Sequence, residues 1–458
     1  MGKPKPGKDG FPPGPKTLPL LGSMVDFGTN DAFLAKWSEL GREYAYGSVF
    51  SIKTEGRWVV FVTGWEAARE VLVKKGLDFC DKPRYPSANR YNPEYKGIFD
   101  APCNDQWKCQ RSFAHTTLRS FGFGKVSLEG AIIQEVMDLM KKLQDQGDKP
   151  LYPRDLLGAH TANILFSITF GVHYSHDDPE FQRLLDCSRT LMVDYGSSRW
   201  STGKDMAQAS RGLEKFVTGQ IQSHAESRVA GEEARDFIDA YLAKIDEDPA
   251  AFTHDELAYV LVDLIGAGIE SVSFTLLWTL LYMSRYPDIQ DKVHEEIQTV
   301  IGERNIKWED RNSLPYSQAT LMEIQRAASL SYMVVRAAYT DSTIFDYKIP
   351  KGTEVWVNIW SVHHDPKVWK DPETFNPGRF LNEDGTELVR HEGFIPFSAG
   401  RRGCMGESLG KMELFIFFTS LMTHFRVETP PGEAPPTSEG VLDFTRNPKP
   451  FKVRFMPR

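Results

Sequence analysis

The stretch Phe397-Ser-Ala-Gly400-Arg-Arg402-Gly-Cys404-Met-Gly406 decides the reading of this chain. It places one cysteine in a glycine-flanked loop, directly ahead of an apolar helical run from about Glu407 to Phe425. Cys404 therefore falls where a helix N-terminus presents free N–H groups and the positive end of its dipole. That setting lowers a thiol pKa and favours the thiolate. The glycines permit a tight backbone path and the close approach of something flat. Arg401 and Arg402 are placed to pair with anionic groups of a bound ligand.

Three more stretches carry chemistry. Trp107-Lys-Cys-Gln-Arg111 opens a helix, and its i, i+4 spacing lets the indole N–H and the guanidinium point at one anion. On its own such a pair is more often a surface stack. Gly266-Ala-Gly268-Ile-Glu270-Ser271 lies in a long apolar helix, where small residues let a flat ligand lie against the backbone. Glu270 and Ser271 set an acid beside a hydroxyl, the minimum for relaying protons. The bland reading of Ser271 is a hydroxyl bonded back to its own helix. Glu323-Ile-Gln-Arg326 brings opposite charges together at i, i+3, and Phe375-Asn-Pro-Gly-Arg379 supplies a second arginine.

Taken in order, F-x-x-G-x-R-x-C-x-G, W-x-x-x-R, the small-residue acid–hydroxyl motif and E-x-x-R resemble the cytochrome P450 family, over nearly the whole chain from Pro12. The resemblance implies a mainly α fold with a small β portion, the cytochrome P450 fold, as a single catalytic domain over 12–458. It implies haem b (iron protoporphyrin IX) as cofactor, with Cys404 as the axial iron ligand. Trp107, Arg111, Arg336 and Arg402 are then expected at the haem propionates. Ala267, Gly268, Phe397 and Gly406 are expected against the haem, and Glu270 and Ser271 as the proton relay. Glu323, Arg326 and Arg379 are expected to form a buried structural network. The likeness leans to the animal microsomal group that includes drug-metabolising enzymes and steroid 17α-hydroxylases.

Two departures from the family pattern stand out. Ser271 stands where threonine is usual, so the hydroxyl stays and the rotamer restraint of the methyl is lost. In Ser329-Leu-Ser-Tyr332-Met-Val-Val-Arg336, Tyr332 replaces an expected proline, and Met333, Val334 and Val335 are expected beside the haem. The activity implied is a monooxygenase. It inserts one oxygen atom from O2 into an apolar small molecule (a steroid, fatty acid or xenobiotic). Electrons come from a separate NADPH-cytochrome P450 reductase, with cytochrome b5 as a second donor. The alternative is a haem-thiolate isomerase or dehydratase that turns over a lipid hydroperoxide or endoperoxide without a reductase. A non-enzymatic haem or lipid binder ranks third.

Composition narrows the rest. The chain has 458 residues, 41% of them apolar, and a net charge of −8, which argues against nucleic acid as a partner. Its five cysteines include no C-x-x-C pair and read as reduced thiols, neither a disulfide framework nor a zinc site. Residues 1–11 read as a leader standing in for a native membrane anchor, ahead of a stiff proline-rich segment. The implied location is the endoplasmic reticulum membrane, with the catalytic domain facing the cytosol. Val260 to Met283 is long and apolar, yet Asp263 and Glu270 share one of its faces, which suits a buried helix better than a lipid-facing one. No nucleotide-binding or hydrolase motif is present, so no flavin or NADPH domain is expected here. Lys108, Arg119, Lys125, Arg401 and Lys411 are candidates for a basic reductase-docking face. His363 and His364 read as structural. Residues 80–106 read as a long functional loop, and 188–212 as a polar loop or lid.

Overall fold

The computed structural model describes the chain except for residues 1–9, 16, 19–21, 24–29, 44–46, 55–56, 85–91, 123–125, 198–203, 230 and 303. Most of the expected leader, Lys125 and the middle of the polar 188–212 segment therefore lie outside the described residues. Among the described residues thirteen α-helices run in order: α1 (Asp31–Glu43), α2 (Gly64–Arg69), α3 (Asp105–Ser120), α4 (Val126–Gln146), α5 (Arg154–Thr169), α6 (Pro179–Ser197) and α7 (Lys204–Ser227). They continue with α8 (Phe237–Glu247), α9 (His254–Arg285), α10 (Pro287–Val300), α11 (Pro315–Ala328), α12 (Ile359–His363) and α13 (Glu407–His424).

Strands are short and gather near the two ends of the chain. They are β1 (Thr17–Leu18), β2 (Gly22–Ser23), β3 (Val49–Thr54), β4 (Arg57–Thr63), β5 (Met333–Ala337), β6 (Ser342–Ile344), β7 (Tyr347–Ile349) and β8 (Glu354–Asn358). The last four are β9 (Phe425–Glu428), β10 (Gly440–Leu442), β11 (Arg446–Pro448) and β12 (Arg454–Pro457). The main sheet has the order β3-β4-β8-β5. Its β3–β4 hairpin pairs Val49 with Val62, β4 runs parallel to β8 with Val60 opposite Val355, and β5 closes it with Val334 opposite Val357. Valine-rich alternation produces these strands because branched side chains suit a pleated, half-buried surface.

Helix α9 is the axis of the helical core. Thr253 caps its start by accepting the N–H of Glu256, and from Val272 to Met283 every residue is buried. It is the one helix, among the described residues, long and apolar enough to cross a membrane, and most of that stretch is buried inside the protein. Its apolar residues join α4, α5, α7 and α13 in one core. A second core, around Val60, Val355 and Ile395, lies between the main sheet and the cysteine loop.

The expectation for one segment changes here. The 188–212 segment is helical on both sides of its undescribed centre, because Leu191, Ala209 and Leu213 give α6 and α7 buried faces. Strand β8 ends at Asn358, whose side chain caps α12 by accepting the Ser361 N–H, so Trp360 lies in the first turn of that helix. Along β5, Met333 and Val335 pack with Trp37, Phe61 and Trp356 of the sheet core, while Val334 packs with the cluster holding Val355 and Ile395. The period of a strand thus puts Met333 and Val335 on the face opposite Val334.

Candidate active site

The cysteine loop is built against the turn that follows α2. Gly400 has φ +75°, and a Cβ on it would meet the Leu72 carbonyl oxygen at 1.8 Å, so only glycine fits. A 3-10 turn over Gly400–Arg402 follows, and the Cys404 N–H donates to Phe397 O at 3.0 Å. Helix α13 begins three residues later, with Phe397 packed against Gly410 of its first turn. Cys404 is a free thiol with accessible surface, although protein encloses it on most sides. Burial pushes the thiol up, while the N–H groups of Gly406 and Glu407 draw it down. The helix-terminus effect has the expected sign, but desolvation outweighs it.

Beside the loop is a crowded set of cations. Arg402 donates Nε to Cys80 O at 2.6 Å and Nη2 to Ala101 O at 2.5 Å, and its guanidinium lies 4.0 Å over the Trp107 ring. Arg111 donates to Gly403 O, one residue from the cysteine. Arg336 is buried and donates to Val335 O and Arg402 O. Lys82 lies 4.2 Å over the Phe99 ring. Burial, then mutual repulsion, pushes Arg336 down to about 10, Arg402 to about 9 and Lys82 to about 7. The surplus of enclosed positive charge fits an anionic ligand held against the cysteine loop. Trp107 departs from expectation: its indole N–H donates to Ile98 O at 3.0 Å, so the ring supports Arg402 and the 97–99 turn.

Lys82 was not singled out from the sequence. It stands in an aperiodic loop, and no local pattern announces that the loop folds back onto Arg336 and Arg402. The same fold-back corrects the cysteine reading, because Cys80 and Cys103 form a disulfide. Asp81 accepts the Cys103 N–H at 2.9 Å, and Arg402 grips both chain ends, which brings together thiols separated by 23 residues. Cys109, Cys187 and Cys404 are the free thiols.

Helix α9 meets this site through the 97–99 turn. Asp263 accepts the N–H groups of Ile98 and Phe99 at 2.7 and 2.9 Å, and Glu256 accepts that of Gly97. Burial pushes Asp263 up to about 7. Ala267 is exposed, and Gly268 and Ser271 are half-buried beside the buried Ile269 and Glu270, so one strip of the helix is open. The glycines serve helix packing: a Cβ on Gly268 would meet Leu165 of α5 at 2.9 Å, and one on Gly266 would meet Met192 of α6 at 3.0 Å. Gly266 and Gly268 thus let α6 and α5 approach the helix closely. The Ser271 hydroxyl donates to Ala267 O at 2.7 Å. Glu270 is buried, with Arg189 Nε at 3.9 Å, and burial raises its carboxyl pKa against the pull of Arg189 and Arg154.

The E-x-x-R network forms as expected. Glu323 accepts Arg326 Nε and Nη2 at 2.7 and 2.8 Å, Arg379 Nε at 3.0 Å and the Asn376 N–H at 2.8 Å. Arg326 donates onward to His363 O, and the buried His363 ring bonds Ser329 Oγ and accepts the Ile395 N–H. His364 stacks on Trp360. Both histidines are structural.

An unpaired cysteine sulfur at a helix start, a crowded cationic flank and an open strip on a central helix are the donor set of a haem-thiolate oxidoreductase. Haem b fits these residues, its acidic side chains answering the enclosed cations. The chain belongs to the cytochrome P450 family, whose model matches residues 12–455. It is 37% identical to cytochrome P450 2U1 of Mus musculus over 490 residues, covering 98% of this chain and 91% of that protein. It is 35% identical to the Homo sapiens 2U1 protein (98% and 90% covered) and 34% identical to cytochrome P450 2D15 of Canis lupus familiaris (98% and 93%). The chain is a haem-dependent monooxygenase of this family.

Proposed function

We propose that the chain oxygenates an apolar small molecule of the steroid, fatty-acid or xenobiotic class, with electrons from a separate NADPH-dependent reductase at the endoplasmic reticulum membrane. Bound haem supplies oxygen activation. Cys404 would supply the thiolate that holds the iron, and Lys82, Arg111, Arg336 and Arg402 would hold the propionates. The Phe99–Phe444 pair, with ring centroids 5.5 Å apart, supports an apolar substrate wall beside Lys82. Arg119 and Arg401 are exposed and support a basic docking face. Lys108 and Lys411 are already paired with Asp105 and Glu407.

The observation that carries the monooxygenase reading is Glu270. It is a buried acid with a raised pKa, adjacent to the Ser271 hydroxyl on the open strip of α9. Burial favours the protonated form of such a group, which lets it hold and pass a proton. The test is turnover with reductase, NADPH and 18O2 across a steroid and fatty-acid panel. Product carrying one 18O atom is expected. Conversion of a lipid hydroperoxide without reductase, and no 18O product with it, would establish the isomerase alternative instead.

A further inference from the structure

Outside the haem site, one cluster lacks a role. Helix α4 contributes Glu135 and Asp138, α5 contributes His160 and Asn163, and the turn after α5 contributes His173 and His176. His160 Nδ1 lies 2.7 Å from Glu135 Oε2, and His176 Nε2 lies 3.5 Å from the same oxygen. His173 Nε2 contacts Glu135 Oε1. One ligand atom from each of Glu135, His160 and His176 falls within 4.8 Å of the others.

Hydrogen bonding alone leaves this group poorly satisfied. The Asn163 amide donates to Tyr174 O, which orients its Nδ2 as a donor, and that Nδ2 also lies 3.2 Å from His176 Nε2 and 3.4 Å from His173 Nε2. Each of these ring nitrogens therefore faces a donor on one side and the Glu135 carboxylate on the other. Buried His160 has no hydrogen-bond partner at Nε2. Asp138 Oδ2 stands 4.0 Å from that nitrogen and 3.5 Å from His176 Nδ1, where an outer carboxylate orients imidazole ligands.

We propose that Glu135, His160, His173 and His176 bind one divalent transition-metal ion of the zinc type, as a structural pin between α4, α5 and the 170–178 turn. A cation at the centre meets the imidazole lone pairs and the carboxylate together. Ligands at ~2.0–2.1 Å in a tetrahedron stand roughly 3.3–3.4 Å apart. The observed 2.7 and 3.5 Å separations reach that with sub-ångström shifts. Three imidazoles and one carboxylate select zinc-like ions over magnesium or calcium and leave no open coordination position. Lys142, whose Nζ contacts His176 Nδ1 and pairs with Asp138 Oδ2 at 3.1 Å, is part-exposed.

The test uses the haem-loaded full chain, stripped with a mild chelator and dialysed against Zn2+. Elemental analysis should give one zinc per haem iron. Competition with a chromogenic chelator should show zinc binding weakened at least about tenfold in His173→Ala and in His176→Ala. His254→Ala, exposed and outside the cluster, should match the parent. Neither ring of the test pair is deeply buried in the core, and an unchanged haem spectrum verifies folding in each variant. Absence of stoichiometric zinc, or equal affinity in parent and both variants, overturns the proposal.

Discussion

Replacing Glu323 by glutamine keeps the shape of the side chain and removes its charge. Glu323 is fully buried and neutralises two guanidiniums, of which Arg326 is 1% and Arg379 8% exposed at the side chain. Its oxygens also hold the Asn376 N–H at 2.8 Å. Losing one partner of such a buried pair costs about 3–5 kcal/mol, because the remaining charge stays desolvated and unpaired. The damage has a defined route. Arg326 holds His363 O at 2.8 Å, His363 Nε2 accepts Ile395 N at 3.2 Å, and Ile395 O accepts Ser398 N at 2.9 Å, inside the cysteine loop. Glu323→Gln should therefore lower the urea midpoint and loosen haem retention together, read by tryptophan fluorescence and Soret absorbance. Arg379→Lys keeps the charge and loses bonds to Lys370 O and Thr374 O, so a smaller loss of about 1–3 kcal/mol is expected. A Glu323→Gln protein within about 1 kcal/mol of the parent, with unchanged haem retention, would mean that this charge network does not support the cysteine loop.

Reduction of the Cys80–Cys103 bridge, or Cys103→Ser, should destabilise the fold by about 3 kcal/mol from the 23-residue separation it closes, and should weaken haem binding by freeing the backbone that Arg402 grips. Calorimetry and haem-transfer rates check this. At His224, burial opposes protonation, but the bonds to Asp236 Oδ2 and Gln220 O at 2.8 and 2.7 Å overcome it and raise the pKa. Its contribution is thus fully present below the ordinary histidine pKa and lost as pH rises through the raised one; stability of His224→Gln should lack that step. Glu270→Gln should retain haem and lower product formed per NADPH consumed, with kcat falling at least about 100-fold.

Much of the site was legible because it is local. Spacing alone placed Cys404 at the start of α13 and Glu323 beside Arg326, since a loop-to-helix junction and an i, i+3 pair are set by backbone geometry. What was not legible depends on distant segments. Nothing near Cys80 or Lys82 signals that Arg402 will draw residues 80–103 against the cysteine loop. Small residues in α9 announce a close approach but not its partner, and here Gly266 and Gly268 approach Met192 and Leu165. The polar 188–212 segment hides the sparse apolar faces of α6 and α7, which tertiary packing turns into helix.

Everything above turns on Cys404 as the thiolate ligand of a bound haem. The optical spectrum of the dithionite-reduced, carbon-monoxide-bound protein tests it most directly. The strongly red-shifted Soret band of a thiolate-ligated haem is expected, and Cys404→Ala should abolish it. A band typical of histidine-ligated haem, or a red-shifted band that survives in Cys404→Ala, would contradict the assignment.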